Sequence, residues 1–180
     1  FDAALQPAAE QARGSPLRGL QLQSAAAKGR WADGWVRVEK LDIRTRDARL
    51  EGRIDLQPST RDARGQLALN APGLQASISG DMAARDGKGE LVLKLDDASA
   101  ARRWLARLPM TPAQLDTLDV RGGADVNLRW RGGWQSLTTG GGVGAGSASI
   151  DAGIRITQLS VGTQGQTADQ WLTLSAIDTR

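Results

Sequence analysis

The stretch Ala48-Arg49-Leu50-Glu51-Gly52-Arg53-Ile54-Asp55-Leu56 alternates two chemistries. Its even-numbered positions are apolar or small, and its odd ones are Arg, Glu, Arg and Asp. A period of two sends successive side chains to opposite sides of an extended backbone, so this segment reads as a half-buried β-strand. The pattern returns at Leu67, Leu69 and Ala71, at Leu74, Ala76, Ile78 and Met82, and at Leu91, Leu93 and Leu95. Farther on, Val120, Gly122, Ala124, Val126, Leu128 and Trp130 alternate with Arg121, Asp125, Asn127, Arg129 and Arg131. Turn signals separate the runs: Asp33-Gly34, Pro58-Ser59, Pro72-Gly73 (the order a type II turn favours), Asp86-Gly87 and Gly132-Gly133. These links are too short for parallel crossovers. The expected fold is mainly β, an elongated, curled and mostly antiparallel sheet of ten or eleven strands.

Two local departures refine this picture. Val36 and Val38 share one parity, whereas Leu41 and Ile43 have the other, so a one-residue bulge near Glu39-Lys40 must keep the oily face pointing one way. From Asp97 to Leu108 the period changes. Asp97 or Ser99 can cap a helix on which Ala101, Trp104, Leu105 and Leu108 share one face and Arg102, Arg103 and Arg107 the other, with Pro109 as the stop. This is one short amphipathic helix set into a β-protein, and Thr111-Pro112 starts a possible further turn carrying Leu115 and Leu118. The whole chain, 1–180, reads as a single segment of a larger repetitive β-protein. Residues 1–15 are weakly patterned, either a frayed helix or a tail. Strand repeats fill 16–96, beginning with a short strand that turns Leu20 and Leu22 inward, and a helical interruption fills 97–118. Further strands fill 119–180, around a glycine-rich loop at 140–149.

Composition narrows the function. The chain has no histidine and no cysteine. It therefore lacks the side chain best suited to proton transfer near neutral pH, the commonest transition-metal ligand, and any thiolate nucleophile or disulfide. Its aspartates lie on strand faces or in turns beside arginines, where solvated charge explains them better than a carboxylate pair for glycoside hydrolysis does. The run Gly140-Gly141-Gly142-Val143-Gly144-Ala145-Gly146 lacks the lysine and hydroxyl residue of a phosphate loop and leads into a strand, so it reads as a loop. Neither an enzyme nor a cofactor is expected. The 23 basic and 20 acidic residues are interleaved, as in Arg61-Asp62-Ala63-Arg64, rather than gathered into the one-signed stripe of a nucleic-acid binder. No run approaches the roughly 18 apolar residues of a membrane-spanning helix. The chain opens at Phe1 with no signal peptide and stops on a strand-like run, as a piece of a longer protein would.

What remains is the oily face. Its residues are leucine, isoleucine, valine, alanine and glycine, with little aromatic bulk, and only one helix is available to cover it. Either two sheets close on each other, or the face stays open as a groove.

Gly29-Arg30-Trp31-Ala32-Asp33-Gly34-Trp35-Val36-Arg37-Val38-Glu39-Lys40-Leu41-Asp42-Ile43, the run from Asp47 to Leu56, Ala71-Pro72-Gly73-Leu74-Gln75-Ala76 and Trp104-Leu105-Ala106-Arg107-Leu108-Pro109 together resemble the repeat region of the TamB family. This family is the translocation and assembly module within the AsmA-like group of Gram-negative envelope proteins, and the similarity is best from about Leu17 to Leu118. The resemblance implies a periplasmic protein held in the inner membrane by a helix absent from this chain. Such a protein crosses the periplasm as a sheet folded lengthwise, the β-taco, with a greasy concave side that carries phospholipids toward the outer membrane. It also implies a link to outer-membrane protein assembly and a barrel partner, TamA. Ten strands at about 4.8 Å would make roughly 50 Å of groove, too short to join two membranes alone. On this reading acyl chains contact Leu50, Ile54, Leu56, Leu67, Leu69, Leu74, Ile78, Leu91, Leu93, Leu95, Val126 and Leu128. The other readings are a scaffold that holds unfolded outer-membrane strands by β-augmentation, and a closed structural β-domain.

Overall fold

The computed structural model describes residues 1–5, 21–84, 86–108, 118–133, 149–163 and 172–179. Strands β1 (Asp2–Leu5), β2 (Leu22–Ala32), β3 (Trp35–Thr45), β4 (Arg49–Gln57), β5 (Asp62–Ala71), β6 (Leu74–Met82) and β7 (Gly87–Leu95) come first. Helix α1 (Ala98–Leu105) follows, then β8 (Leu118–Arg121), β9 (Ala124–Arg131), β10 (Ser149–Thr163) and β11 (Leu172–Thr179). All eleven strands belong to one sheet, and every pairing is antiparallel. From β1 to β7 spatial order follows chain order, and the sheet then runs on through β9, β10 and β11. β1 and β11 are its two ends, so the sheet is open, as a curled groove requires.

Sequence chemistry explains the turns and the bulge. Between β2 and β3 the chain reverses over Asp33 and Gly34, both at positive φ (53° and 75°), the left-handed pair that a two-residue hairpin needs. Along β3, Gly29 faces Val38 while Lys28 faces Lys40, which leaves Glu39 without an opposite residue. On the other side Val38 faces Ile54 and Leu41 faces Gly52, the same irregularity. The bulge lies at Glu39-Lys40 and returns Leu41 and Ile43 to the face of Val36 and Val38.

Charge reinforces this register on the opposite face. Arg37, Asp55, Arg64, Asp81 and Lys88 are successive cross-strand partners, alternating in sign over five strands. Each such pair adds a few tenths of a kcal/mol, and between β4 and β5 a two-residue shift would bring Asp55 to Asp62 and Arg53 to Arg64. Arg64 meets Asp55 at 3.0 Å and lies over the Trp35 ring, 4.8 Å from its centroid.

Helix α1 is capped by Asp97, whose carboxylate accepts from the Ala100 N–H at 3.0 Å. Arg102 and Arg103 in its last turn suit the negative end of the helix dipole. Ala98, Ala101 and Trp104 are buried, with Leu105 and Leu108 packed beside them. Several ties hold α1 across the strand ends, among them the Ser99 hydroxyl donating to the Val120 carbonyl at 2.5 Å. The Ala98 N–H donates to the Gly122 carbonyl at 2.9 Å, the Asp96 and Asp97 N–H groups donate to the Gly73 carbonyl, and Arg107 pairs with Asp47 at 2.7 Å.

Three expectations are corrected. Residues 2–5 form β1, paired with Ala25–Lys28, where a frayed helix or a tail had been open. Leu118 begins β8 rather than ending a helical stretch, and pairs with Thr163. The strand expected from Val120 to Arg131 is broken. β8 and β9 both pair with β10, and between them Gly122 sits at φ 98°, where a Cβ would collide with the Gln158 carbonyl oxygen. Leu20, Pro109, Leu115 and the glycine-rich loop up to residue 148 lie outside the described residues.

Trp104→Ala removes the largest of the buried side chains among the described residues and should cost about 3–5 kcal/mol of stability, read by urea denaturation of the whole chain. A loss under about 1 kcal/mol would mean that the cluster does not hold the strand ends together.

Candidate functional site

The register lays the apolar positions in rows that run across the strands. Ala25, Ile43, Leu50, Leu69, Ala76, Leu93, Val126 and Ile154 are successive partners from β2 to β10. A second row is Ala27, Leu41, Gly52, Leu67, Ile78, Leu91, Leu128 and Ala152. A third is Gly29, Val38, Ile54, Gly65, Gly80, Gly89, Trp130 and Ile150. No charged residue enters any of these rows.

All twelve residues expected to meet acyl chains lie on this one face, but they do not share one environment. Leu74 is 7% exposed beneath Trp104, and Leu69, Leu93 and Leu95 pack against the same cluster. These four lie in or against the core under α1. Leu50, Ile54, Leu56, Leu67, Ile78, Leu91, Val126 and Leu128 lie outside that cluster, and Leu56 and Ile78 are 37% and 40% exposed. Among the described residues no large side chain is fully buried, and α1 is the only element that packs over the face. Aliphatic carbon is thus left in contact with water along most of the sheet, at roughly 25 cal/mol per Å² of lost burial. Such a surface is unusual for a protein that works alone.

The residues expected to meet acyl chains make up only part of the face. Val36, Val38, Leu41 and Ile43 extend it through β3, and Ile150 and Ile154 extend it onto β10, where they are 56% and 38% exposed. The cue was present for β3, since the bulge already put both valines on the same side as Leu41 and Ile43. The glycines at apolar parity, Gly65, Gly80 and Gly89, were readable as gaps in the pattern but were passed over.

The reverse face is charged and mutually neutralised. Asp42 stands opposite Glu51, and Arg49 resolves this like-charge pair by reaching Asp42 at 3.1 Å and Glu51 at 2.8 Å. Hydrogen bonds from Arg44, then Arg49, hold the Asp42 carboxyl at about 2 instead of 3.8, and the same pairing raises Arg44. Glu90 is held below its ordinary range by hydrogen bonds from Asn127 and Arg129. Clefts open on this face too, one of about 670 Å³ bordered by Arg44, Arg49, Glu51, Ser77 and Lys94. They are gaps between long solvated side chains, and Arg44, Arg49 and Lys94 are about half exposed. Among the described residues no cluster of acidic groups could hold a metal ion, and no helix is long and apolar enough to cross a membrane.

Compared with protein-family models, curated proteins and solved structures, the chain matches none.

Because the Asp42 carboxyl is depressed in the folded protein, its contribution to stability is complete above its unfolded value and is lost as pH falls through about 2. The stability difference between the native chain and Asp42→Asn should stay constant from neutral pH down to about 5 and shrink below that, as read by urea titration at each pH. A difference that changes between neutrality and about 5 would assign the effect to another group.

Proposed function

We propose that this chain is a segment of a TamB-like periplasmic bridge that conducts phospholipids between the inner and outer membranes along its apolar face. The observation that carries the reading is the unbroken set of aliphatic rows from β2 to β10, which, among the described residues, only α1 covers, at Leu69 and Leu93. The rows run in the stacking direction of the strands, which is the long axis of an open sheet, so a hydrocarbon chain moving along that axis keeps aliphatic contact at every strand. Each methylene so covered is worth about 0.8 kcal/mol relative to water. With no charge or fixed polar group within the rows, one position along the axis differs little from the next, so the chain slides instead of lodging. Headgroups stay in solvent outside the groove. On this proposal the protein is not an enzyme and needs no cofactor, its membrane anchor lies in parts outside this chain, and an outer-membrane barrel of the TamA kind is a partner.

The second reading is a scaffold for outer-membrane protein strands. It is favoured by one observation, that the sheet ends in the strands β1 and β11, to which a further strand could add. Photocrosslinkers at Leu67, Leu91 and Leu128 separate the two, because lipid conduction predicts phospholipid adducts and the scaffold predicts polypeptide adducts. Native mass spectrometry should find phospholipid co-purified with the protein.

A charge placed in the rows should interrupt passage and spare the fold. Leu91→Glu and Leu128→Arg, both outside the cluster under α1, should each abolish lipid transfer in a complementation or reconstituted assay, with unchanged strand content by circular dichroism. Normal transfer by either folded variant would count heavily against the groove.

A further inference from the structure

In the third apolar row a run of bare backbone meets a single bulky side chain. Gly65, Gly80 and Gly89 are direct partners on β5, β6 and β7, so three adjacent strands carry no side chain there. The next partner, on β9, is Trp130, the largest side chain of all. A Cβ at Gly89 would stand 2.0 Å from Cζ2 and 2.2 Å from Cη2 of Trp130, so the indole rests directly on the glycine backbone. Its Nε1–H reaches past β7 to donate to the Asp81 carbonyl on β6, at 3.3 Å. The ring therefore lies along the row, over a hollow that continues under no side chain as far as Gly65 and is closed at its far end by Ile54 on β4. An aromatic laid on a cross-strand glycine shields bare backbone, and that explains Gly89. Gly65 and Gly80 have a backbone reason of their own: their φ angles are 156° and 144°, and a Cβ would stand 2.3 Å from the Arg53 and the Lys88 carbonyl oxygen respectively, so the sheet itself keeps this stretch of the row bare.

We infer that Trp130 is a side-chain gate on the floor of the groove. With the indole down on Gly89, the hollow is closed between β7 and β9, and an acyl chain is confined to the two leucine-rich rows beside it. With the indole lifted, the hollow would run from Ile54 to Ile150 and add a third track. A long hydrogen bond, at 3.3 Å, and the contact with Gly89 set the ring down on the row. Trp130 is thus a positioning residue that determines how wide a hydrocarbon the face admits. The inference rests on the lipid reading above.

The test places a photocrosslinker separately at Ile54, Ile150 and Leu91 in the full chain, incubated with vesicles of phosphatidylethanolamine and phosphatidylglycerol. The backgrounds are native, Trp130→Ala and Trp130→Leu, the last keeping apolar bulk should the alanine variant fold poorly. A gate predicts that both substitutions raise lipid adducts at Ile54 and Ile150 several-fold and leave those at Leu91 nearly unchanged. A ring that only shields backbone predicts no redistribution, and adducts at Ile54 and Ile150 that stay level or fall with those at Leu91 would overturn the inference. If Leu91 gives no lipid adduct in the native background, it is the lipid reading itself that fails.

Discussion

Register is the constraint on which the rest of this structure depends. A slip of one residue between any two strands from β4 to β9 would turn Arg, Glu and Asp onto the aliphatic side and leucines onto the charged side. Two independent ladders oppose the slip. One is the set of apolar rows; the other is the alternating series Arg37, Asp55, Arg64, Asp81 and Lys88 on the reverse face. Individually these solvated charges contribute little. Their value lies in favouring this pairing from β3 to β7, although the row meets like charge at both its ends, where Arg30 stands opposite Arg37 and Arg131 opposite Lys88.

Among the described residues the one closed core sits at one end of the strands, not between layers. Trp104 enters a seat made by Ala71, Leu74 and Ala101, and the helix that carries it is tied to β8 at one end and to the β3–β4 turn at the other. This gives the molecule an asymmetry. The strand ends near Ala71 and Leu74 are sealed by protein, whereas the middle of the face around Ile78 and Ile150 meets solvent. The functional proposal concerns the second region, and the stability of the chain concerns the first.

Much of this could be read from the residues alone, because the deciding signals are local. Alternation places Leu50 and Ile54 on one face, a parity change places the bulge at Glu39-Lys40, and Asp97 caps the helix as its side chain chemistry requires. What could not be read depends on distant partners. β1 is a strand because β2 offers its edge to an otherwise unpatterned Asp-Ala-Ala-Leu. The break at Gly122-Gly123 follows from the close approach of the Gln158 carbonyl, thirty-odd residues away in the chain. The position of α1 depends on Arg107 meeting Asp47, and that pairing has no signature in either segment. The face itself was legible, and the division of its leucines between core and open floor was not.

The nearest-neighbour character of the sheet has a further consequence. Taking out β5 and β6 together would set β4 against β7 with both strands still antiparallel. Leu50 would then stand on the row of Leu93, and Asp55 would stand beside Lys88, a match of opposite sign. Apart from the Ala71 to Leu74 tip on which Trp104 sits, nothing in the pattern counts hairpins. Such a scaffold can be made longer or shorter by whole hairpins, about 10 Å at a time. Its span is a modular quantity, open to adjustment by duplication or loss of paired segments while the chemistry of both surfaces carries on unchanged.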